Sequence, residues 1–388
     1  MRITAIAEKA VPVGSTMRNA AFDFSEMTTS VVAVTTDVVR NGKPVMGYAF
    51  NSTGRYACGA PMRARFIPRI LSAPPQRLLD QAGLIDPAKV LGCMMQREKP
   101  GGDAERSVPI GTIETAVWDA LAKILDRPLW HVLAERFNGG AQPVAVPCYV
   151  GGGWYQSHGD LAALSDEVKR HLQAGYTHIK IKVGGAPIKE DLARIETAIG
   201  LMAGPDHLAV DANGALSNDR MKDYARVLAP LGLRWFEEPC APLDYGSFAE
   251  LTRTYDAPLA TGENLFCLQD VENLFSFGDF RRDRDILQVD PPHAYGVGTY
   301  AQMVAGVERR GGTRQRIFPH GGNMMSFALV AGLGLGGCES YPGVFAAFGG
   351  FADGMDVRDG QIALPDYPGI GFEAQPALYK IMQEVANA

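Results

Sequence analysis

The sequence has no block of basic residues longer than the pair Arg281-Arg282, and 43 acidic residues outnumber its 37 lysines and arginines, for a formal charge of -6. A nucleic acid or an anionic membrane is therefore not an expected partner, since both need clustered positive charge. There is no C-x-x-C pair: six cysteines, at 58, 93, 148, 240, 267 and 338, lie far apart and read as reduced cytosolic thiols, not as a disulfide or zinc framework. No G-x-S-x-G elbow for a serine hydrolase occurs. Long apolar runs are missing too; the most apolar stretch, Phe327 to Cys338, is too short to span a bilayer and contains four glycines. Glu8 and Lys9 interrupt the apolar core that an export signal would need, so the chain is expected to start with structure and to be cytoplasmic.

What is present is a globular composition, 46% apolar and 21% charged over 388 residues, enough for two domains or for one large barrel with a smaller companion. TTSVVAVTTDVV (28–39) reads as a strand, with Asn41-Gly42 as a hairpin turn. Ile113, Ala116, Val117, Ala120, Leu121 and Ile124 recur at the helical period, and Pro128 is expected to stop that helix. Gly139-Gly140-Ala141-Gln142-Pro143 has the composition of a linker, which sets a boundary between residues 1–140 and a domain beginning at 141.

Beyond it, short apolar strands alternate with amphipathic helices: VPCYVGG, THIKIKVGG, LAVDANG, RWFEEP, APLATGEN, DILQVDPP, RIFPHGG and LGGCES, spaced 20 to 32 residues apart. Such intervals match βα units and predict an α/β fold in which parallel strands close into a barrel, with a doubly wound open sheet as the runner-up. The polar residues of these strands, among them Lys182, Asp211, Asn213, Glu237, Glu263, Asp290, His320 and Glu339, fall toward the C-terminal ends, the face on which barrels carry chemistry.

Lys180 and Lys182 stand two apart on one strand, so both point to one face while Ile179, Ile181 and Val183 take the other. Inside a barrel mouth, desolvation and mutual repulsion are expected to lower their pKa toward that of a working base; on an edge strand they would simply be solvated. Asp211, Glu237 and Glu263 end three consecutive strands at intervals of 26 residues, and converging carboxylates call for a hard divalent cation, Mg²⁺, unless each sits in its own surface salt bridge. Glu237 and Glu238 are neighbours on a strand, so only one can be a ligand, and spacing alone does not choose. His320 falls across the barrel from the lysines, with Asp290 on the adjacent strand able to fix its tautomer. GLGLGG (332–337) matches a dinucleotide loop only as a string, since it ends a helix and enters a strand. Gly151-Gly152-Gly153-Trp154 reads as a flexible turn under the site.

KIK (180–182), VDAN (from Val210), FEEP (from Phe236), TGEN (from Thr261), VD (289–290), PHGG (from Pro319), Glu339, ETAVWDALAK and LPDYPGIGF together resemble the enolase superfamily, mandelate racemase subgroup. That resemblance implies an α+β capping domain (1–140), a (β/α)7β barrel (141–350) and a C-terminal segment (351–388) that completes the cap. It implies one Mg²⁺ per subunit on Asp211, Glu237 and Glu263, Lys182 as base, Lys180 as its electrostatic helper, a His320–Asp290 acid/base dyad, Asn213 beside the substrate, and Glu339 as hydrogen-bond donor to the substrate carboxylate. The implied partner is a small hydroxy-carboxylate, in a homo-oligomer. RNAAFDFSEMTTS, FNSTGRY, EKPGGDAERSV and HGG with Met325-Ser326 are similar to the subgroup's D-tartrate dehydratases, which makes Asn19, Asn51 and Lys99 expected substrate contacts and dehydration the expected reaction. VDPPHAYG and Asn323 depart from that pattern, so His293 and Asn323 are expected to reshape the pocket. A lysine and a histidine on opposite faces of an ene-diolate would equally serve a racemase or epimerase. A barrel reduced to a binding role is disfavoured, because it would have no reason to keep a charged, destabilising centre.

Overall fold

The computed structural model describes residues 1–156 and 159–387. Strands β1 (Ile3–Pro12), β2 (Thr28–Arg40) and β3 (Lys43–Phe50) form an antiparallel sheet in that order, and Asn41 and Gly42, both at positive φ, make the two-residue turn between β2 and β3. Val31 to Val34 are buried without alternation, because helices cover the sheet. Gly47 lets the Asp103–Ile124 helix approach so closely that a Cβ would lie 2.0 Å from the Ala116 carbonyl, while the next residue, Tyr48, faces Tyr379 of the Pro376–Ala386 helix. Asp119 ties three parts together, accepting from the Tyr48 and Ile370 amides at 2.8 and 2.6 Å and pairing with Lys123 at 2.7 Å.

The long helix does not run to Pro128. It ends at Ile124, Asp126 turns the chain with φ 59°, and Pro128 instead precedes the helix Leu129–Phe137. Proline suits that place, since the first turn of a helix has no use for its missing N–H.

The remaining strands form a parallel ring: β4 (Ala145–Gly152), β5 (Ile179–Lys182), β6 (Leu208–Asp211), β7 (Phe236–Glu237), β8 (Leu259–Thr261), β9 (Ile286–Leu287) and β10 (Cys338–Ser340), which pairs back onto β4. Between β9 and β10 the seventh position is reduced to a bridge of Ile317 with Leu287, extended by hydrogen bonds from the Phe318 amide to Leu287 and from the Gly336 amide to Ile317. Among the described residues, seven α-helices connect these eight positions, from Asp160–Gln173 to Met324–Leu333, giving the expected (β/α)7β order. A hairpin of β11 (Val357–Arg358) and β12 (Gln361–Ala363) lies antiparallel to the first residues of β4.

Two layers fill the ring. Tyr149, Ala209, Trp235, Ala260, Ile286 and Phe318 make an apolar floor separate from the outer core. Two residues further along the same strands come Asp211, Glu237, Gln288 and His320, on the same inward face by the two-residue period of a strand. The charged tier therefore stands on a dry floor at the C-terminal mouth. Gly151-Gly152-Gly153 is not a loose turn: Gly151 and Gly152 belong to β4, a Cβ on Gly151 would strike the Tyr341 ring at 2.2 Å, and Trp154 is buried.

Candidate active site

Lys180 and Lys182 leave β5 on one face, as alternation requires, and enter a layer of carboxylates. The Lys180 ammonium donates to Glu237 Oε1 at 2.5 Å, lies 2.7 Å from Glu339 Oε1 and 3.5 Å from Asp211 Oδ2. Lys182 donates to Asp211 Oδ2 at 2.6 Å, with its ammonium 5.0 Å from the Trp154 ring centre. This arrangement corrects the expected pKa of Lys180. Burial disfavours its charge, but Glu237 and Glu339 outweigh burial and hold the ammonium well above its usual value.

Asp211, Glu237 and Glu263 each bring one oxygen within 4.8 Å of the other two. Hard oxygen donors at this spacing fit Mg²⁺. Asp211 is oriented by the Asn213 amide, 2.8 Å from Oδ1, and by Asn213 Nδ2, 3.1 Å from Oδ2, while Glu237 Oε2 receives Trp235 Nε1 at 2.9 Å and Gln288 Nε2 at 2.8 Å. Burial opposes ionisation at Asp211, yet Lys182 and Lys180 bring it down to about 2. At Glu237 burial prevails over Lys180 and, with Asp211 and Glu339 close by, raises the carboxyl to about 7.

Glu238 does not obey the alternation that would send it away from this layer. It sits at φ 41°, outside the strand, and accepts from Asn264 Nδ2 at 2.6 Å; Oε2 is buried with no protein partner among the described residues. Burial, followed by the nearness of Glu263 and Asp211, raises it well above the usual carboxylate range. The left-handed backbone turns the second glutamate of FEEP toward the same mouth as the first.

Across the trio, His320 Nδ1 lies 2.8 Å from Asp290 Oδ2 and Nε2 lies 3.6 Å from Glu263 Oε2. A carboxylate only accepts, so Nδ1 carries the proton and Nε2 faces the trio. Burial works against a charged ring here, but Glu263, the Asp290 hydrogen bond and Glu339 overcome it and raise His320 to about 10. Asp290 Oδ2 also accepts from Ser52 Oγ of the cap at 2.6 Å. Toward its protein neighbours Glu339 accepts: besides Lys180 it receives the Tyr341 hydroxyl at 2.7 Å and the Gly321 amide at 3.2 Å, and although burial opposes ionisation, Lys180 lowers its pKa.

The three expected cap contacts fare differently. Asn19 Oδ1 closes a turn by accepting from the Ala21 and Phe22 amides at 2.8 and 2.7 Å, and the residue lines a cavity of about 800 Å³ with Arg18, Tyr155, Gln156 and Arg194. Asn51 is fully buried. Its Oδ1 accepts from Thr29 Oγ1 and the Ser30 amide, and its Nδ2 donates to the Arg55 and Tyr56 carbonyls, so every donor and acceptor of the carboxamide is used within the cap. Lys99 is exposed, and its carbonyl receives Arg106 Nη1 at 2.8 Å. His293 is buried against the Asn51 carbonyl at 2.9 Å, and Asn323 caps the Met324–Leu333 helix through the Met325 and Ser326 amides.

Sequence reasoning missed Ser52, Trp154, Tyr341 and Gln288. Gln288 and Tyr341 were within reach, since they stand two residues before Asp290 and two after Glu339; Ser52 and Trp154 reach the mouth through loop geometry that no periodicity records.

The enolase C-terminal domain-like family model matches residues 163–378. Over 271 residues, 70% of each chain, the protein is 30% identical to the 3,6-anhydro-alpha-L-galactonate cycloisomerase of Streptomyces coelicolor. It is 25% identical to the arabinonate dehydratase of Saccharolobus solfataricus over 284 residues, 70% of this chain and 71% of that one. Its fold superposes on a racemase from Streptomyces coelicolor A3(2) with bound magnesium, with a TM-score of 0.78 and 24% identity over 98% of both chains. With its site set on the mouth of a (β/α)7β ring beneath an α+β cap, the chain belongs to the enolase C-terminal domain-like family, within the enolase superfamily.

Proposed function

We propose that the protein is a Mg²⁺-dependent acid-sugar dehydratase, a hydro-lyase, whose substrate is D-tartrate and whose products are oxaloacetate and water. The class is supported by the relatedness to arabinonate dehydratase and by the magnesium of the racemase structure. The choice of tartrate rests on the likeness of the cap segments around Asn19, Asn51 and Lys99 to the D-tartrate dehydratases. The observation that carries the reaction is the placement of Lys182 and His320 on opposite flanks of one carboxylate trio, the first against Asp211 and the second against Glu263.

Asp211, Glu237 and Glu263 would hold Mg²⁺, which supplies the Lewis acid that withdraws charge from the substrate carboxylate. Lys182 removes the proton on the carbon next to that carboxylate, and the C–H electron pair becomes the ene-diolate. Lys180, bound to Glu237 and Glu339, adds positive charge beside it. His320 then gives the β-hydroxyl a proton; the C–O bond breaks, water leaves, and the enol takes a proton to become the keto acid. Asp290 holds the imidazole by Nδ1, keeping Nε2 for this transfer.

Incubation with D-tartrate in heavy water tests the reading. Wild type should give oxaloacetate. His320→Asn should form little keto acid yet still exchange deuterium slowly into C2 of recovered substrate, and Lys182→Ala should do neither. Recovery of the epimer in place of oxaloacetate from wild type would establish a racemase and overturn the dehydratase.

A further inference from the structure

Beside the trio lies a second group of ligands with different chemistry. Asp290, His293 and His320 each bring one ligand atom within 4.8 Å of the other two, and all three side chains are buried. His293 Nε2 is 2.9 Å from the Asn51 carbonyl, which can only accept, so Nε2 carries the ring proton and Nδ1 keeps a free lone pair. That Nδ1 has no hydrogen-bond partner among the described residues, although the residue is only 2% exposed; it lies 3.8 Å from Asp290 Oδ2. Asp290 Oδ1 is likewise buried and unpartnered. An imidazole whose far nitrogen is fixed on a backbone carbonyl, beside a carboxylate fixed by a serine hydroxyl, is how metal ligands are commonly oriented from behind.

We propose that Asp290, His293 and His320 form a second cation site, selective for a borderline transition ion such as Zn²⁺ or Co²⁺ over Mg²⁺. Two nitrogens and one carboxylate oxygen suit such ions, whereas the all-oxygen trio suits Mg²⁺, so one mouth holds two sites that differ in ligand softness. Binding takes the proton that His320 Nδ1 shares with Asp290 and releases it to solvent. Because His320 is then a ligand, the ion would inhibit; this consequence rests on the acid/base role of His320 given above, whereas the binding itself does not.

Co²⁺ titration of the full chain in saturating Mg²⁺, followed by visible absorption and by metal content after buffer exchange, tests the site without substrate. Wild type and Asp211→Asn should each take up one Co²⁺ per chain with the visible bands of a four-coordinate nitrogen–oxygen site, displaced by Zn²⁺. His293→Ala and His293→Gln should lose those bands; His293→Gln keeps a donor for the Asn51 carbonyl and serves if the alanine variant does not fold. Wild type without a Co²⁺ band, bands that vanish in Asp211→Asn, or bands unchanged in both His293 variants would each overturn the proposal. In turnover, micromolar Zn²⁺ should inhibit wild type but not His293→Gln. Zn²⁺ binding without inhibition would leave the site standing and refute the role given to His320.

Discussion

The two arcs of the barrel mouth are built differently. From β5 to β8 the chemistry is supported from within the barrel: Lys180, Lys182, Asp211 and Glu237 are placed by strand alternation and hold one another, with further partners, Glu339 and Gln288, supplied by other segments of the ring. From β9 to β10 it is conditional. Asp290 is held by Ser52 from the cap, His293 leans on the Asn51 carbonyl, and the seventh strand that carries His320 has shrunk to a single bridge. If the trio holds the ion as proposed, a mouth whose metal ligands are intrinsic to the barrel and whose His320–Asp290 pair depends on the cap can change its reaction through cap loops without disturbing the ion.

Damage to the first arc should have the largest effect. Chelation should abolish turnover and Mg²⁺ restore it, and Asp211→Asn or Glu263→Gln should lower kcat/KM by more than about 1,000-fold by weakening the ion that offsets the developing charge. Isothermal titration with Mg²⁺ checks the cause. Turnover unchanged after exhaustive chelation would remove the trio from the mechanism.

Ser52→Gly should separate the arcs. Ser52 sits at φ 61°, a conformation that costs a serine about 1 kcal/mol or more and costs glycine little, so strain relief should offset part of the lost hydrogen bond and the melting temperature should fall by only a few degrees. Loss of the hydroxyl removes a charge-assisted hydrogen bond to Asp290, and kcat/KM should fall about 10- to 100-fold with Mg²⁺ affinity unchanged. A parallel loss of Mg²⁺ affinity would show that the arcs are one unit.

Glu114→Ala reaches the second arc from further away. The buried Glu114 carboxylate receives the Val297 and Gly298 amides at 2.7 and 3.0 Å, at the start of the helix that follows the Asp290–Tyr295 loop, and Trp118 Nε1 at 2.7 Å. Removing it strands two buried donors, at about 1–3 kcal/mol each, and a half-buried one, so the melting temperature should drop by several degrees. Rescue by Glu114→Gln should be partial, since its amide group must present hydrogens either to the Val297 amide at Oε2 or to the Gly298 amide and Trp118 indole at Oε1. Full stability in Glu114→Ala would mean that water satisfies those donors.

The same asymmetry decides how much could be read from the chain. Strand spacing and alternation carry the ring, the trio and both lysines because those relations are local or repeat with the βα period. The Ser52–Asp290 and Asn51–His293 contacts span 238 and 242 residues, and no local pattern encodes them. Glu238 escaped because alternation assumes extended backbone and its φ is positive. The direction of the Lys180 shift was misjudged for a related reason: the second lysine is visible two residues away, whereas Glu237 and Glu339, which outweigh burial, arrive from β7 and from the last strand of the ring. Pro128 shows the opposite limit, a breaker assigned to the end of one helix when it serves the start of the next.

The opposite end of the barrel should report on stability alone, and with the smallest effect. His178, just before β5, stacks on His207 with ring centres 4.5 Å apart and 3° between planes, and its Nδ1 lies 2.9 Å from Thr177 Oγ1. Burial, then Arg234 and His207, lower it to about 4. An unfolded histidine titrates near 6.5, so between about pH 6.5 and 4 the unfolded chain binds a proton that the folded chain refuses. Stability from this residue is thus complete above about pH 6.5 and lost as pH falls through that window. Partial exposure of the ring limits the effect to about 1–2 kcal/mol. His178→Phe keeps the stack and removes the titration, so its melting temperature should fall less than that of wild type between pH 7 and pH 5, with kcat/KM and Mg²⁺ affinity unaltered. His293, also lowered to about 4, titrates in the same direction in both proteins and cancels in the difference. An identical pH slope in the two would show that His178 is protonated in the folded protein as readily as in the unfolded one.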